Sequence, residues 1–139
     1  LLRKPELWVY SNIETGCVPF SSAESTFNRI SITERSKLKA ELTSNYSGQI
    51  FTALNNESNP GDSDPTNEYI AITILVATKK DLGINNSSNN ELITEALRLL
   101  GSISSKDLIA LEIIWQPEGE GETLREEELI IQYPNLKHL

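Results

Sequence analysis

The stretch LIALEIIWQPEGEGETL, residues 108–124, decides the fold. It opens as an apolar run ending in Trp115, is stopped by Gln116-Pro117, passes through a Glu/Gly string and reaches a helix-start signal at Thr123. Residues 108–115 read as a core strand: Ile109, Leu111, Ile113 and Trp115 alternate onto one face, while Glu112 sits among Ala110 and Ile114 on the other. Thr123-Leu124-Arg125-Glu126 matches a capping box. Glu126, Glu127 and Glu128 then fall in the first turn of a C-terminal helix, where the helix dipole favours negative charge. Leu129, Ile130 and Tyr133 pack this helix down and Pro134 ends it.

Upstream, YIAITILVAT at 69–78 is the clearest strand, with β-branched Ile70, Ile72 and Val76 among small residues on both faces. Between the two strands Asn90 caps a helix with Leu92, Ile93, Ala96, Leu97 and Leu100 on one side and Gly101 as its stop. Strand, helix, strand predicts a parallel pair (69–78, 108–115) joined by a right-handed crossover, and a third strand is expected from the N-terminal half. The fold class is therefore α+β, with N-terminal helices, a small sheet containing this βαβ pair, and a C-terminal helix.

Ser21-Ser22-Ala23-Glu24 and Ser31-Ile32-Thr33-Glu34 both match capping boxes, which gives two short helices or one with a bend. Phe27, Ile30, Leu38 and Leu42 form their apolar stripe, and Arg35, Lys37 and Lys39 beside Glu34 and Glu41 read as a solvated face. Residues 46–54 are ambiguous between strand and helix. NNESNPGDSDPTN at 55–67 has no large apolar side chain and reads as a flexible loop. Near the start, Pro5 allows a helix to begin and Trp8 is expected to pack inward, with Arg3-Lys4 an exposed basic pair.

The length of 139 residues fits one soluble domain spanning 1–139. The net charge of −8 lies entirely in residues 62–139, since 1–61 carries six Lys/Arg against six Asp/Glu and 62–139 carries six against fourteen. Such a surface repels phosphate backbones and anionic headgroups, which excludes nucleic acid as a partner and favours a basic one. Cys17 is the only cysteine, so an intrachain disulfide is impossible. The absence of Met, with Leu at position 1, suggests a piece cut from a longer precursor, and abundant Ile and Asn suggest an AT-rich genome such as a plastid's.

Catalytic chemistry finds little to stand on. His138 is the only histidine and lies at the end of the chain, so neither a Ser-His-Asp arrangement nor His-rich zinc ligation is expected. Gly119-Glu120-Gly121 lacks the continuation of a phosphate-binding loop. Asp62 and Asp64 lack the spacing of a calcium loop, and the Asn-x-Ser/Thr triplets at Asn45, Asn56 and Asn86 fit chance in an Asn- and Ser-rich chain. Glu112, alone in an apolar strand, invites a raised pKa and acid chemistry, against which stands the usual pairing of such a residue with Lys or Arg. Six glutamates between Glu118 and Glu128 serve a divalent cation or a basic partner in one reading, and helix-start complementation plus a solvated turn in the other.

Several segments together resemble the cyanobacterial and chloroplast family of domain of unknown function 1517, the family of the fluctuating-light acclimation proteins. They are Leu2-Arg3 with Pro5 and Trp8, Phe27-Asn28-Arg29-Ile30 followed by Glu34-Arg35-Ser36-Lys37, the strand at 69–78, and Ala96-Leu97 through Gly101-Ser102. The strongest is Glu112-Ile113-Ile114-Trp115-Gln116-Pro117, leading through Thr123-Leu124 and Glu127-Glu128-Leu129 to Tyr133-Pro134 and Leu136. The resemblance implies a C-terminal soluble domain of a precursor with an N-terminal membrane-anchoring or Gly-rich region. It also implies location at a plastid or cyanobacterial thylakoid membrane, facing stroma or cytoplasm, with membrane contact only through segments outside this chain.

The leading expectation is a non-catalytic interaction domain, without cofactor or metal, that docks on a photosynthetic membrane complex with a basic surface through Trp115, Pro117, Glu118, Glu120 and Glu122. Its alternatives are a small-molecule or metal-binding enzyme-like domain centred on Glu112 and the 118–128 glutamates, and a structural subunit of a larger photosynthetic assembly.

Overall fold

A computed structural model describes residues 1–45, 68–86 and 89–139. The readings at 46–54 and 55–67, the Asn56 triplet and Ser88 of the Asn86 triplet lie outside the described residues, as do the side chains of Leu38, Lys39, Glu41 and Leu42.

The fold is α+β, built on an antiparallel ribbon of β3 (Ala71–Thr78) and β4 (Leu108–Gln116). The paired residues run from Ala71 opposite Gln116 to Thr78 opposite Leu108, and a bulge between Ala77 and Thr78 leaves Ile109 as the extra residue. The expected parallel pair is thus corrected to an antiparallel one. The reason lies in the connection: the helix between the strands, α2 (Asn90–Gly101), is preceded by about ten mostly polar residues. A 12-residue helix is about 18 Å long, and ten extended residues can retrace that distance. The excursion can therefore end where it began, and the Lys79 N–H donates to the Asp107 carbonyl at 2.8 Å to close it. Asn89, one residue before the expected cap, starts α2 by accepting from the Leu92 N–H at 2.8 Å.

The N-terminal half supplies one helix in place of two. After a 3-10 turn at Phe20–Ser22, α1 runs unbroken over Ala23–Asn45. Ser31 does not cap a second helix: it is buried in mid-helix and its hydroxyl donates to Glu112. Helix α1 packs on one face of the β3–β4 ribbon, the face of Glu112, Ile114 and Gln116. Its contact side is unexpectedly polar, while Ile32 is 68% exposed and Ile30 lies near the surface. The third strand expected in the sheet is absent from the ribbon among the described residues. The N-terminal β1 (Tyr10–Ser11) pairs instead with β6 (Lys137–His138), bringing the two ends of the chain side by side.

A third short ladder joins β2 (Glu68–Tyr69) to β5 (Leu124–Arg125) and leads into α3 (Glu126–Gln132). Here the expected cap is corrected: Thr123 is not the helix start. Arg125 occupies the N-cap without a side-chain bond to the helix backbone, because Leu124 and Arg125 are held extended by pairing with β2. Leu124 and Leu129 are both 3% exposed and, with Ile114, Ala23 and Ala96, form the buried apolar set. Each large aliphatic of this set contributes about 1.5–3 kcal/mol by leaving water.

Candidate functional site

Strand β4 presents two unlike faces. The inner face holds Ile114 (2% exposed) and Gln116 (3%), with Glu112 between α1 and the strand. The outer face carries Leu111, Ile113 and Trp115 at 54, 60 and 54% exposure. The reading of 108–115 as a core strand whose apolar face is that of Leu111, Ile113 and Trp115 is therefore corrected. Alternation defined the two faces, but the covered one is the face with the polar residues, because α1 supplies partners for both of them.

Those partners are specific. The Glu112 carboxylate accepts from the Ser31 hydroxyl and from the Arg35 guanidinium, which also lies 4.0 Å from Glu118. The Ser31 hydrogen bond, followed by that of Arg35, holds the Glu112 carboxyl below the ordinary carboxylate range, against the opposing pull of burial. That is the reverse of the raised value that acid chemistry needs. Gln116 donates through Nε2 to the Glu34 carbonyl at 3.2 Å and accepts from the Tyr133 hydroxyl, joining α1, β4 and the end of α3. Lys37 bridges to Glu34 at 2.9 Å and lies 4.7 Å over the Tyr133 ring. The reading of Glu34, Arg35 and Lys37 as a solvated face is therefore corrected to a polar seam. Burial, then the Glu34 charge, pushes the Tyr133 hydroxyl up to about 12.

Beyond Gln116 the chain continues through a cis bond to the half-buried Pro117. The Glu122 N–H donates to the Gly119 carbonyl at 3.1 Å, and Gly121 takes φ +75°, which side chains other than glycine rarely adopt. The Glu122 carboxylate folds back over Gly119. Of the residues singled out in the sequence, Trp115, Glu118, Glu120 and Glu122 are exposed and Pro117 is half-buried, so the five share one projecting end of the ribbon. Sequence reasoning missed Leu111 and Ile113, which extend the exposed row from Trp115 back along β4. It also missed Ser31, Arg35, Gln116 and Tyr133 as partners. Their signals were the four-residue spacings of Ser31 with Arg35 on a helix and of Glu112 with Gln116 on a strand.

By the same end of the ribbon, where Ala71 pairs with Gln116 and Tyr69 with Leu124, the Tyr10 hydroxyl donates to Glu126, a bond that raises its pKa to about 12, and the Tyr10 ring stands edge-on to Tyr69 and His138. Among the described residues no three His, Cys, Asp or Glu side chains gather as a metal site would require, and no helix is long and apolar enough to cross a membrane.

The sequence profile described as "Protein of unknown function (DUF1517)" matches residues 1–139. Protein FLAP1 homolog A of Synechocystis sp. is 37% identical over 142 residues, covering 99% of this chain and 43% of that protein. FLUCTUATING-LIGHT-ACCLIMATION protein 1, chloroplastic, of Arabidopsis thaliana is 33% identical over 141 residues, covering 100% of this chain and 35% of that protein. The chain thus spans less than half the length of these relatives. No solved structure matches it.

Proposed function

Because the chain belongs to the DUF1517 family, matched from residue 1 to residue 139, we propose that it is a non-catalytic accessory domain in photosynthetic acclimation. It docks on a protein complex of the plastid or cyanobacterial thylakoid membrane through residues 115–122. Residues 1–139 act as one soluble domain, exposed to stroma or cytoplasm, within a longer protein. Support for the acclimation role is the name of the chloroplastic relative, of which the cyanobacterial one is a homolog.

The observation that carries the docking reading is the exposure of Trp115 at 54%, followed within seven residues by three exposed glutamates, Glu118, Glu120 and Glu122. A large apolar ring held in water next to a patch of one charge suits a partner that covers the ring and supplies the opposite charge. The enzyme-like reading centred on Glu112 has lost its support, since that carboxylate is already satisfied by Ser31 and Arg35.

The test is affinity capture from solubilised thylakoid membranes with the 139-residue chain and a variant carrying Glu118→Lys, Glu120→Lys and Glu122→Lys. Loss of a photosynthetic complex from the variant's capture is the expected result. Equal recovery of the same complex by both chains would remove these glutamates from the interface.

A further inference from the structure

Among the described residues, helix α1 packs on the inner face of the β3–β4 ribbon. On the outer face Leu111, Ile113 and Trp115 stand in a row at every second position, opposite Val76, Ile74 and Ile72 across the ladder, which are half-buried. We propose that this whole face, and not the turn alone, is the docking surface, and that its occupant is a basic amphipathic helix of a partner protein. The helix lays its apolar side along Leu111, Ile113 and Trp115 and points lysines or arginines at Glu120 and Glu122, since Glu118 lies 4.0 Å from Arg35 of α1. This deepens the docking reading of the 115–122 turn and rests on it.

Three observations select that occupant. The first is spacing. Alternate residues on a strand repeat about every 6.7 Å, and residues four apart on a helix repeat about every 6 Å, so a helix of three turns matches the Leu111–Ile113–Trp115 row side chain for side chain. The second is charge. The apolar row ends at a cluster of exposed glutamates on a chain of net charge −8, a field that repels a second copy and an anionic lipid surface alike and attracts Lys and Arg. The third is layering. A two-stranded ribbon is marginal in water until its apolar faces are covered, and while α1 packs on the inner one, Leu111, Ile113 and Trp115 of the outer one stay exposed. A second helix on the outer face completes a helix–sheet–helix sandwich.

The experiment places a photo-cross-linking p-benzoylphenylalanine at Ile113 in one chain and at Glu120 in another. Both chains are bound to thylakoid membranes and the captured peptides are identified by mass spectrometry. Because both positions are solvent-exposed, each probe chain should melt at the unmodified chain's temperature. The expected result is capture of one and the same partner segment from both positions, with apolar residues three and four apart and an excess of Lys and Arg. Adding Ile113→Asp to the chain probed at Glu120 should lower the yield about tenfold, as loss of a central apolar contact does. Capture of lipid, of a second copy of this chain, or of a segment without that pattern at position 113 would overturn the proposal. If position 120 captures a photosynthetic complex and position 113 captures nothing, the docking turn stands and the helix falls. If neither position captures a protein, both readings fall.

Discussion

Gln116→Ala tests how the molecule is held together behind its exposed face. The side chain is 3% exposed, donates to the Glu34 carbonyl at 3.2 Å, lies 3.5 Å from the Arg35 carbonyl, and accepts from the Tyr133 hydroxyl. Each net hydrogen bond is worth about 1 kcal/mol, and the removed methylene and amide leave unfilled space and an unpaired Tyr133 hydroxyl. The total is about 3 kcal/mol. With an unfolding entropy of about 2.1 cal/mol/K per residue, a chain of 139 residues should lose about 10 °C in Tm. Tyr133→Phe alone removes one of these bonds and should cost about 1 kcal/mol. The double variant should then be about 1 kcal/mol more stable than the single losses add up to, since both remove the same contact. Differential scanning calorimetry on the four chains reads all of this. A shift below about 3 °C for Gln116→Ala, or strict additivity with Tyr133→Phe, would refute the seam as the link between α1, β4 and α3.

Ile114→Ala, at the most buried side chain of β4, should cost about 2–5 kcal/mol in urea unfolding, whereas Ile113→Ala on the outer face should stay within about 0.5 kcal/mol. Asn89→Ala, which deletes the acceptor for the Leu92 N–H, should cost about 1 kcal/mol, read as a lower urea midpoint with unchanged slope. Glu112 has its pKa lowered in the fold, so its contribution is present above the ordinary carboxylate value and is lost as pH falls through the lowered one. Glu112→Gln should therefore flatten the acid limb of the Tm–pH curve and leave its alkaline limb in place. Tyr133 is displaced the other way, to about 12, so its contribution is complete below pH about 10 and is lost as pH rises through about 12. Tyr133→Phe should lessen that alkaline decline and leave the part that Tyr10, also raised to about 12, contributes.

The elements were legible where local chemistry decides them. The β-branched run of β3, the Trp115-Gln116-Pro117 end of β4 and the amphipathic α2 are written in side chains that touch their own neighbours in sequence. Direction and facing were not legible, because they depend on partners far along the chain. The strands' antiparallel sense follows from the spare length before Asn90, which a motif reading assigns to a turn. The covered face of β4 follows from Ser31 and Arg35, 81 and 77 residues away from Glu112, which turn an apparent surface glutamate into an inward one. Thr123 misled in the same way: its capping pattern is locally sound, but pairing of Leu124 and Arg125 with β2 holds the backbone extended and delays the helix. The projecting turn was legible as a candidate site, since Pro, Gly and Glu at close spacing mark an exposed reversal. The row behind it was hidden, because Leu111 and Ile113 look like core residues in any strand.

Hydrogen-exchange mass spectrometry on the chain free and bound to whatever complex it captures from thylakoid membranes tests the docking claim most directly. Slowed exchange over residues 111–122, with exchange in α2 unchanged, is the predicted footprint. Unchanged exchange over 111–122, with protection elsewhere on the chain, would contradict it.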